Sequence, residues 1–329
     1  MHKNLLSTLF LCCCLLFISA CSDDNKVIRL TMAHTLDSRH VTHQAMEYMA
    51  ERLAYYSDNQ MEIVIYPAAQ LGTERELIEL LQIGSLSMTK VSSSPLEGFV
   101  PQMKVFGVPY LFNDSEHFWK VLNSQLGQKL LDDLAVARLK GLGYYDAGSR
   151  SFYTTDAAIR TPDDLIGSKI RVVTSPMAIA TVQSLGGAAT PIAWGELYSA
   201  LQQGVVDGAE NNPPSYYLSR HYEIAKYYTL DEHTFVPDIV VASQKVWQQL
   251  TTQQQYWLKL AMQDSVTYQR SLWQSASDQA LQAVVDAGVE VIYPDKQVFQ
   301  EKVAPFHASF KGTPIAAQIA AIKAMQEAL

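Results

Sequence analysis

The chain predicts an α/β protein made of two units joined by one long helix. Three observations carry this reading. Strand-like and helix-like segments alternate from Val27 to Ser92, the same rhythm resumes after Tyr145, and the 35 residues from Gln253 to Ala287 contain neither Gly nor Pro. Alternation of the two periods is what an open sheet covered by helices requires. An unbroken helix of that length would be about 50 Å long, longer than a small domain is wide, so it would have to run across both units.

Each element has a local reason. Val27 to Met32 alternates, with Ile28, Leu30 and Met32 on one face, and reads as a strand. From about His40 to Tyr55, Met46, Met49, Ala50 and Leu53 recur at helical spacing. Met61 to Tyr66 is a second strand stopped by Pro67, and Gly72-Thr73-Glu74 opens a helix that ends near Gly84. Ser87 to Val91 is a third strand and Ser92-Ser93-Ser94-Pro95 a turn. In the second unit, Ser151 to Thr154 reads as a strand, Thr161-Pro162-Asp163-Asp164 as a capped turn closed by Gly167, and Lys169 to Val173 as a strand. Met177 to Leu185 and Glu196 to Gln203 read as helices ended by glycines. The segment Asp207-Gly208-Ala209-Glu210-Asn211-Asn212-Pro213-Pro214 reads as a polar turn. The long helix begins with Thr252 and Gln255 in capping-box spacing and stops at Gly288. Its apolar residues follow no sustained heptad, which favours a spanning helix over a coiled-coil arm.

Composition narrows the function. Of 329 residues, 48% are hydrophobic, enough for real cores, and 25 Lys+Arg stand against 33 Asp+Glu. That acidic balance, with no basic run, excludes nucleic acid as a partner class. All four cysteines lie at positions 12, 13, 14 and 21, so the body of the chain holds no pair for a disulfide or a Cys-rich metal site. They belong to a start that reads as export and lipidation signals. Lys3 precedes an apolar stretch from Leu5 to Ile18 that is short for a membrane span, and Ile18-Ser19-Ala20-Cys21 resembles a bacterial lipobox. The expectation is a signal peptide over 1–20, a lipidated Cys21 and a polar tether over 21–26. Cleavage there leaves 24 basic against 33 acidic residues, a formal charge of −9.

Signatures of catalysis are missing from the sequence: no phosphate-binding glycine loop, no HExxH, no Gly-x-Ser-x-Gly elbow. His40 and His43 are three apart without a carboxylate at ligand spacing, which reads as a helix face and not a metal site. Neither a cofactor nor a metal is expected. Two arginines stand in informative places. Arg171 lies in the strand Lys169-Ile170-Arg171-Val172-Val173, opposite in direction to Ile170 and Val172. If both faces of that strand are covered, its guanidinium needs a buried partner or a cleft. Arg150 starts another strand. A guanidinium can hold a carboxylate by two parallel hydrogen bonds, which an ammonium cannot copy. Asn211 offers a donor and an acceptor, and Trp194 reads equally as a core ring or as the wall of a sugar pocket.

A series of segments then adds a resemblance. Tyr66-Pro67-Ala68-Ala69-Gln70-Leu71-Gly72, Val108-Pro109-Tyr110-Leu111-Phe112, Gly148-Ser149-Arg150-Ser151-Phe152-Tyr153, Thr161 to Val172, Glu196-Leu197-Tyr198 and Asp207-Gly208-Ala209-Glu210-Asn211 occur in this order. Together they resemble the DctP-type solute-binding proteins of tripartite ATP-independent periplasmic (TRAP) transporters. The resemblance implies a two-lobed, periplasmic-binding-protein-like fold with the long helix spanning both lobes: 27–147 plus 237–276 as lobe one, 148–236 plus 277–329 as lobe two. It implies that Arg171 clamps a ligand carboxylate, that Arg150 assists, that Asn211 and Trp194 contact the ligand, and that His233 lies near the pocket. From lobe one it implies contacts from His34 and from Val91, Ser92 and Ser93. Apart from the resemblance, Glu74 joins Ser92, Ser93, His34 and Asn211 as a polar group for ligand hydroxyls. Where sialic acid-binding members carry a glutamate this chain has Ser92, and Pro95 replaces a nearby arginine, which argues against sialic acid.

The function expected on this basis is capture of a small organic acid and its delivery to membrane permease subunits by a monomeric, lipid-anchored, extracytoplasmic protein. A sugar acid such as a uronate is preferred to a C4-dicarboxylate, because a second carboxylate would want another cation and none stands out near Ser92. A sensory lipoprotein is the other reading, and a hydrolase would need a nucleophile that is not visible.

Overall fold

Among the described residues, 27–326 of a computed structural model, eleven strands form two sheets. The expected signal peptide, the tether and Cys21 lie outside the described residues. The first sheet contains β1 (Ile28–Ala33), β2 (Met61–Tyr66), β3 (Met88–Ser92), β4 (Leu139–Tyr145) and β10 (Asp238–Ser243), in the order β2-β1-β3-β10-β4. Strand β1 is parallel to β2 and β3, and β10 runs antiparallel between β3 and β4. The second contains β5 (Ser149–Thr154), β6 (Lys169–Val172), β7 (Ala188–Pro191), β8 (Gly208–Asn211), β9 (Tyr227–Phe235) and β11 (Glu290–Ile292), in the order β11-β9-β5-β8-β6-β7.

Both sheets are buried on both faces, because alternate side chains feed separate cores. In the first sheet Leu30, Met32, Met88 and Val240 meet Met46, Met49 and Leu53 of α1 (Val41–Tyr56). Its other face sends Val91, Ile239 and Val241 against Leu77 and Leu81 of α2 (Glu74–Ile83). Beyond β3 the chain makes one turn of helix, α3 (Ser93–Leu96), where a plain turn was expected, and continues through α4 (Ser115–Leu122) and α5 (Gln125–Asp133). In the second sheet Tyr153, Ala209 and Tyr228 face one core and Phe152, Ile170 and Val172 the other, the latter covered by α6 (Pro176–Leu185). Then come α7 (Leu197–Gln202), α8 (Pro213–Leu218) and α9 (Gln244–Gln249).

The 207–214 segment corrects the turn expected there. Gly208–Asn211 is β8, buried along its length between β5 and β6. Its polar composition hid the strand. Gly208 is required because a Cβ would lie 2.5 Å from the Tyr153 carbonyl, and Glu210 is neutralised by Arg150 of the neighbouring strand. Pro213 then opens α8, capped by Asn212 Oδ1 accepting from the Ser215 amide at 2.9 Å.

The long helix, α10, runs Thr252–Asp286. Its capping box is Thr251 with Gln254, one residue earlier than the expected Thr252 and Gln255. Gln255 is instead engaged, donating to the carbonyls of Trp247 (2.8 Å) and Leu250 (3.2 Å). The N-terminal part of α10 buries Leu258, Ala261 and Met262 in the first unit, and the C-terminal part buries Val284 in the second. The chain also crosses between units at Asp146–Gly148 and at Val236–Pro237, and Gln269 of α10 grips the first crossing. Its Oε1 accepts from the Asp146 amide (2.9 Å) and its Nε2 donates to the Asp146 carbonyl (2.8 Å).

The tail departs from the expected division, which gave 277–329 to lobe two. Helix α11 (Lys296–Ala308) does pack there through Phe299 and Val303. After it, Phe310, Ile315 and α12 (Ala316–Gln326) return to the first core, since the apolar face of α12 finds its cover on α4. His117 Nε2 lies 3.0 Å from the Ile322 carbonyl and Lys120 donates to that of Met325 at 2.8 Å. Among the described residues no helix is long and apolar enough to cross a membrane.

Candidate ligand-binding cleft

The carboxyl ends of β1, β3, β6 and β8 converge with both crossing segments on one cavity. Ligands of open α/β sheets bind at this end of the strands.

Arg171 dominates the wall from the second unit. Its side chain is 3% exposed, its Nε donates to the Ile192 carbonyl at 2.9 Å, and its guanidinium lies 5.6 Å from the centre of the Trp194 ring. No carboxylate stands within 4 Å of it among the described residues, and burial pulls its pKa below the ordinary value. A buried cation without a counter-ion is a site for an anion. Arg150 also lines the cleft but is already engaged. It is ion-paired with Glu210, donating to Glu210 Oε1 at 3.0 Å and to the Glu210 carbonyl at 2.9 Å. Its Nη1 donates to Asn211 Oδ1 at 3.2 Å. That oxygen also accepts from the Asn212 amide at 2.9 Å, which leaves the Asn211 Nδ2 donors for the cleft.

The opposite wall mixes charges. Lys90 is 2% exposed, with its Nζ 3.0 Å from Asp238 Oδ2 and 3.6 Å from Glu74 Oε1. Burial, the largest influence, raises the Glu74 pKa although Lys90 opposes it. Glu74 Oε1 also accepts from the Ser92 amide at 3.0 Å. Lys90, Ser92, Glu74 and Asp238 all face the cavity. Lys90 corrects the expectation that lobe one has no cation near Ser92. It sits two residues earlier on the same strand, hence on the same face; period-2 spacing was the signal that could have found it. Asp238 carries no such signal, because it is brought opposite Ser92 by the β3–β10 register.

Four further residues expected at or near the cleft stand behind it. His34 is buried, its Nε2 2.9 Å from His43 Nδ1 and its Nδ1 accepting from the Leu36 amide at 3.2 Å; the following residues, Thr35 and Leu36, line the cavity instead. Ser93 is buried with its amide donating to the Pro237 carbonyl (2.9 Å), and Val91 turns into the first core. His233 lies behind Arg150, its Nδ1 2.8 Å from Asp231 Oδ2 and its Nε2 3.8 Å from Glu210 Oε2. Although burial opposes it, these two carboxylates raise the His233 pKa to about 9, while Arg150 and His233 together hold Glu210 at about 2. Arg150, Glu210, His233 and Asp231 thus form a charge-balanced support under the wall. Among the described residues no group of His, Cys, Asp and Glu could hold a metal ion.

The model of the DctP family, bacterial extracellular solute-binding protein family 7, matches residues 32–313. The chain is a DctP-type solute-binding protein of the TRAP class. A TRAP solute-binding protein from Xanthobacter autotrophicus Py2, with bound β-D-galacturonate, superposes with a TM-score of 0.86 at 37% identity, over 90% of this chain and 99% of that one. One from Anaerococcus prevotii, with bound D-glucuronate, gives 0.88 at 33% identity over 91% and 98%. The C4-dicarboxylate-binding periplasmic protein DctP of Rhodobacter capsulatus is 30% identical over 283 residues, 84% of each chain. As a DctP-type protein the chain is a binding protein and not an enzyme, and its two-lobed fold with a spanning helix is the fold of these relatives.

Proposed function

We propose that this DctP-type protein captures a sugar acid, a hexuronate such as galacturonate or glucuronate, and hands it to the membrane subunits of a TRAP transporter. The observation that carries the choice is the asymmetry of the cleft. The anion-seeking Arg171 stands on one wall, whereas Lys90 on the other is bracketed by Glu74 and Asp238. A ligand carboxylate is attracted to the first wall. At the second, a distal carboxylate would meet two carboxylates for one ammonium, while hydroxyls find donors and acceptors together. Neighbouring structures holding uronates support the same choice. Closure of the two units about the crossing segments, favoured by bound ligand, completes the site.

A thermal-shift comparison of uronates, aldonates and C4-dicarboxylates tests this reading. Stabilisation by D-galacturonate or D-glucuronate is expected, and stabilisation by malate or succinate alone would reverse it. The lipid anchor at Cys21 and a monomeric state belong to the same proposal. The Ile18-Ser19-Ala20-Cys21 run supports the anchor, and intact-mass analysis of the membrane-extracted protein should show a diacylglyceryl cysteine. A receptor role without transport would be favoured if deleting the membrane subunits left the response to uronate unchanged.

A further inference from the structure

His40 occupies the N-cap of α1 in extended conformation, and its Nδ1 accepts a hydrogen bond from the Thr42 amide at 3.1 Å. An accepting imidazole nitrogen carries no proton, so in the neutral ring the proton is on Nε2. Burial, reinforced by the Lys90 charge, pulls the pKa down to about 3 and keeps the ring neutral. The His40 ring is 3% exposed and lines the cleft with Lys90, Leu36 and Asp238. Its Nε2 is buried without a hydrogen-bond partner among the described residues. The nearest aromatic neighbour, Trp273 at 6.1 Å between ring centres, offers an indole N–H that donates and cannot accept.

Leaving a buried donor unpaired forfeits the hydrogen bond it makes to water in the unfolded chain. Capping does not explain that cost, since Ser or Thr would cap the Thr42 amide without adding a second polar atom. We propose that His40 is a specificity-determining residue whose Nε2–H donates to an oxygen in the hydroxylated part of the bound solute. The tautomer is locked by the helix cap, so the ring presents one donor and no acceptor to the cleft. It stands on the wall opposite Arg171, and its partner is therefore a hydroxyl or ring oxygen and not the carboxylate that Arg171 holds. The assignment rests on reading the cleft as a sugar-acid site.

The decisive variant is His40→Ser, which keeps a capping oxygen for the Thr42 amide and removes the ring N–H beyond it. Titration calorimetry with D-glucuronate and D-galacturonate should show affinity weakened roughly tenfold for the better ligand, with the ligand-free melting temperature close to that of the wild type. Binding within twofold of the wild type would overturn the assignment. Should His40→Ser not fold, long-range proton–nitrogen spectra of the wild type decide. The His40 Nε2–H resonance must move on adding the uronate, and an unmoved resonance in a saturated protein would overturn the assignment. A wild type that binds neither uronate would instead overturn the sugar-acid reading, and this inference with it.

Discussion

Glu97 of the first unit accepts a 2.8 Å hydrogen bond from Ser175 Oγ of the second, beside the cleft. The same carboxylate accepts from the Met177 amide at 3.2 Å, so it caps the N-terminus of α6 from across the unit boundary. It is 2% exposed, and burial raises its pKa to about 7 despite those two hydrogen bonds and the charge of Lys104. An acid whose folded pKa is raised holds its proton in the folded state at pH values where the unfolded chain has lost it. Its contribution is complete below about pH 4.5 and is lost as pH rises to about 7. The buried neutral histidines His34 and His40 act in the opposite sense, losing stability as pH falls below about 6.5. Comparison with Glu97→Gln isolates the carboxyl. The wild-type melting temperature is expected to fall relative to the variant between pH 5 and pH 7.5. Parallel curves would remove Glu97 from the account.

Replacing Arg171 by lysine keeps the charge and loses the planar fork. Affinity for the preferred acid should drop tens- to thousands-fold, corresponding to about 2–5 kcal/mol for breaking a buried hydrogen-bonded charge pair. Calorimetric affinity near that of the wild type would show that the carboxylate is held elsewhere.

Lys90→Met should destabilise the ligand-free protein by about 3–5 kcal/mol, because Glu74 and Asp238 are left as buried carboxylates without their cation. Lys90→Met combined with Asp238→Asn should recover a large part of that loss. Urea unfolding of the wild type, both single variants and the pair measures the coupling, and additive effects would mean that the 3.0 Å contact contributes nothing.

Gln269→Leu removes both partners of the Asp146 backbone at a crossing between units. Two buried peptide groups then lack hydrogen bonds, at roughly 1–3 kcal/mol each. Chemical denaturation should show the loss, and amide exchange of Asp146 should quicken more than that of residues in β1. Unchanged protection of Asp146 would argue that water replaces the side chain.

Arg171 was legible because a strand's two-residue period and its apolar neighbours left one charged side chain pointing into a covered face. The period that exposes it also aligns Lys90 with Ser92, although a lysine in a strand reads first as solvated. Strand β8 was not legible at all. Four residues, two of them polar, carry too little pattern, and only the ion pair between Arg150 and Glu210 makes their burial tolerable. His40 showed itself as the start of a helix, while the loneliness of its Nε2 depends on what surrounds the ring.

Local sequence determined the alternation of strands and helices, the uninterrupted spanning helix and the charge of the candidate clamp, because periodicity, capping residues and missing breakers act within a few residues of themselves. Only the tertiary structure decided which charges are spent and which are free. Asp238 meets Lys90 across 148 positions, Glu210 takes up Arg150, and α12 returns to the first core. Those outcomes follow from strand register and from the need to pair buried charges, which depend on residues far apart in the chain. Arg171, beside Trp194 and without a carboxylate within 4 Å among the described residues, is what that pairing leaves for a ligand.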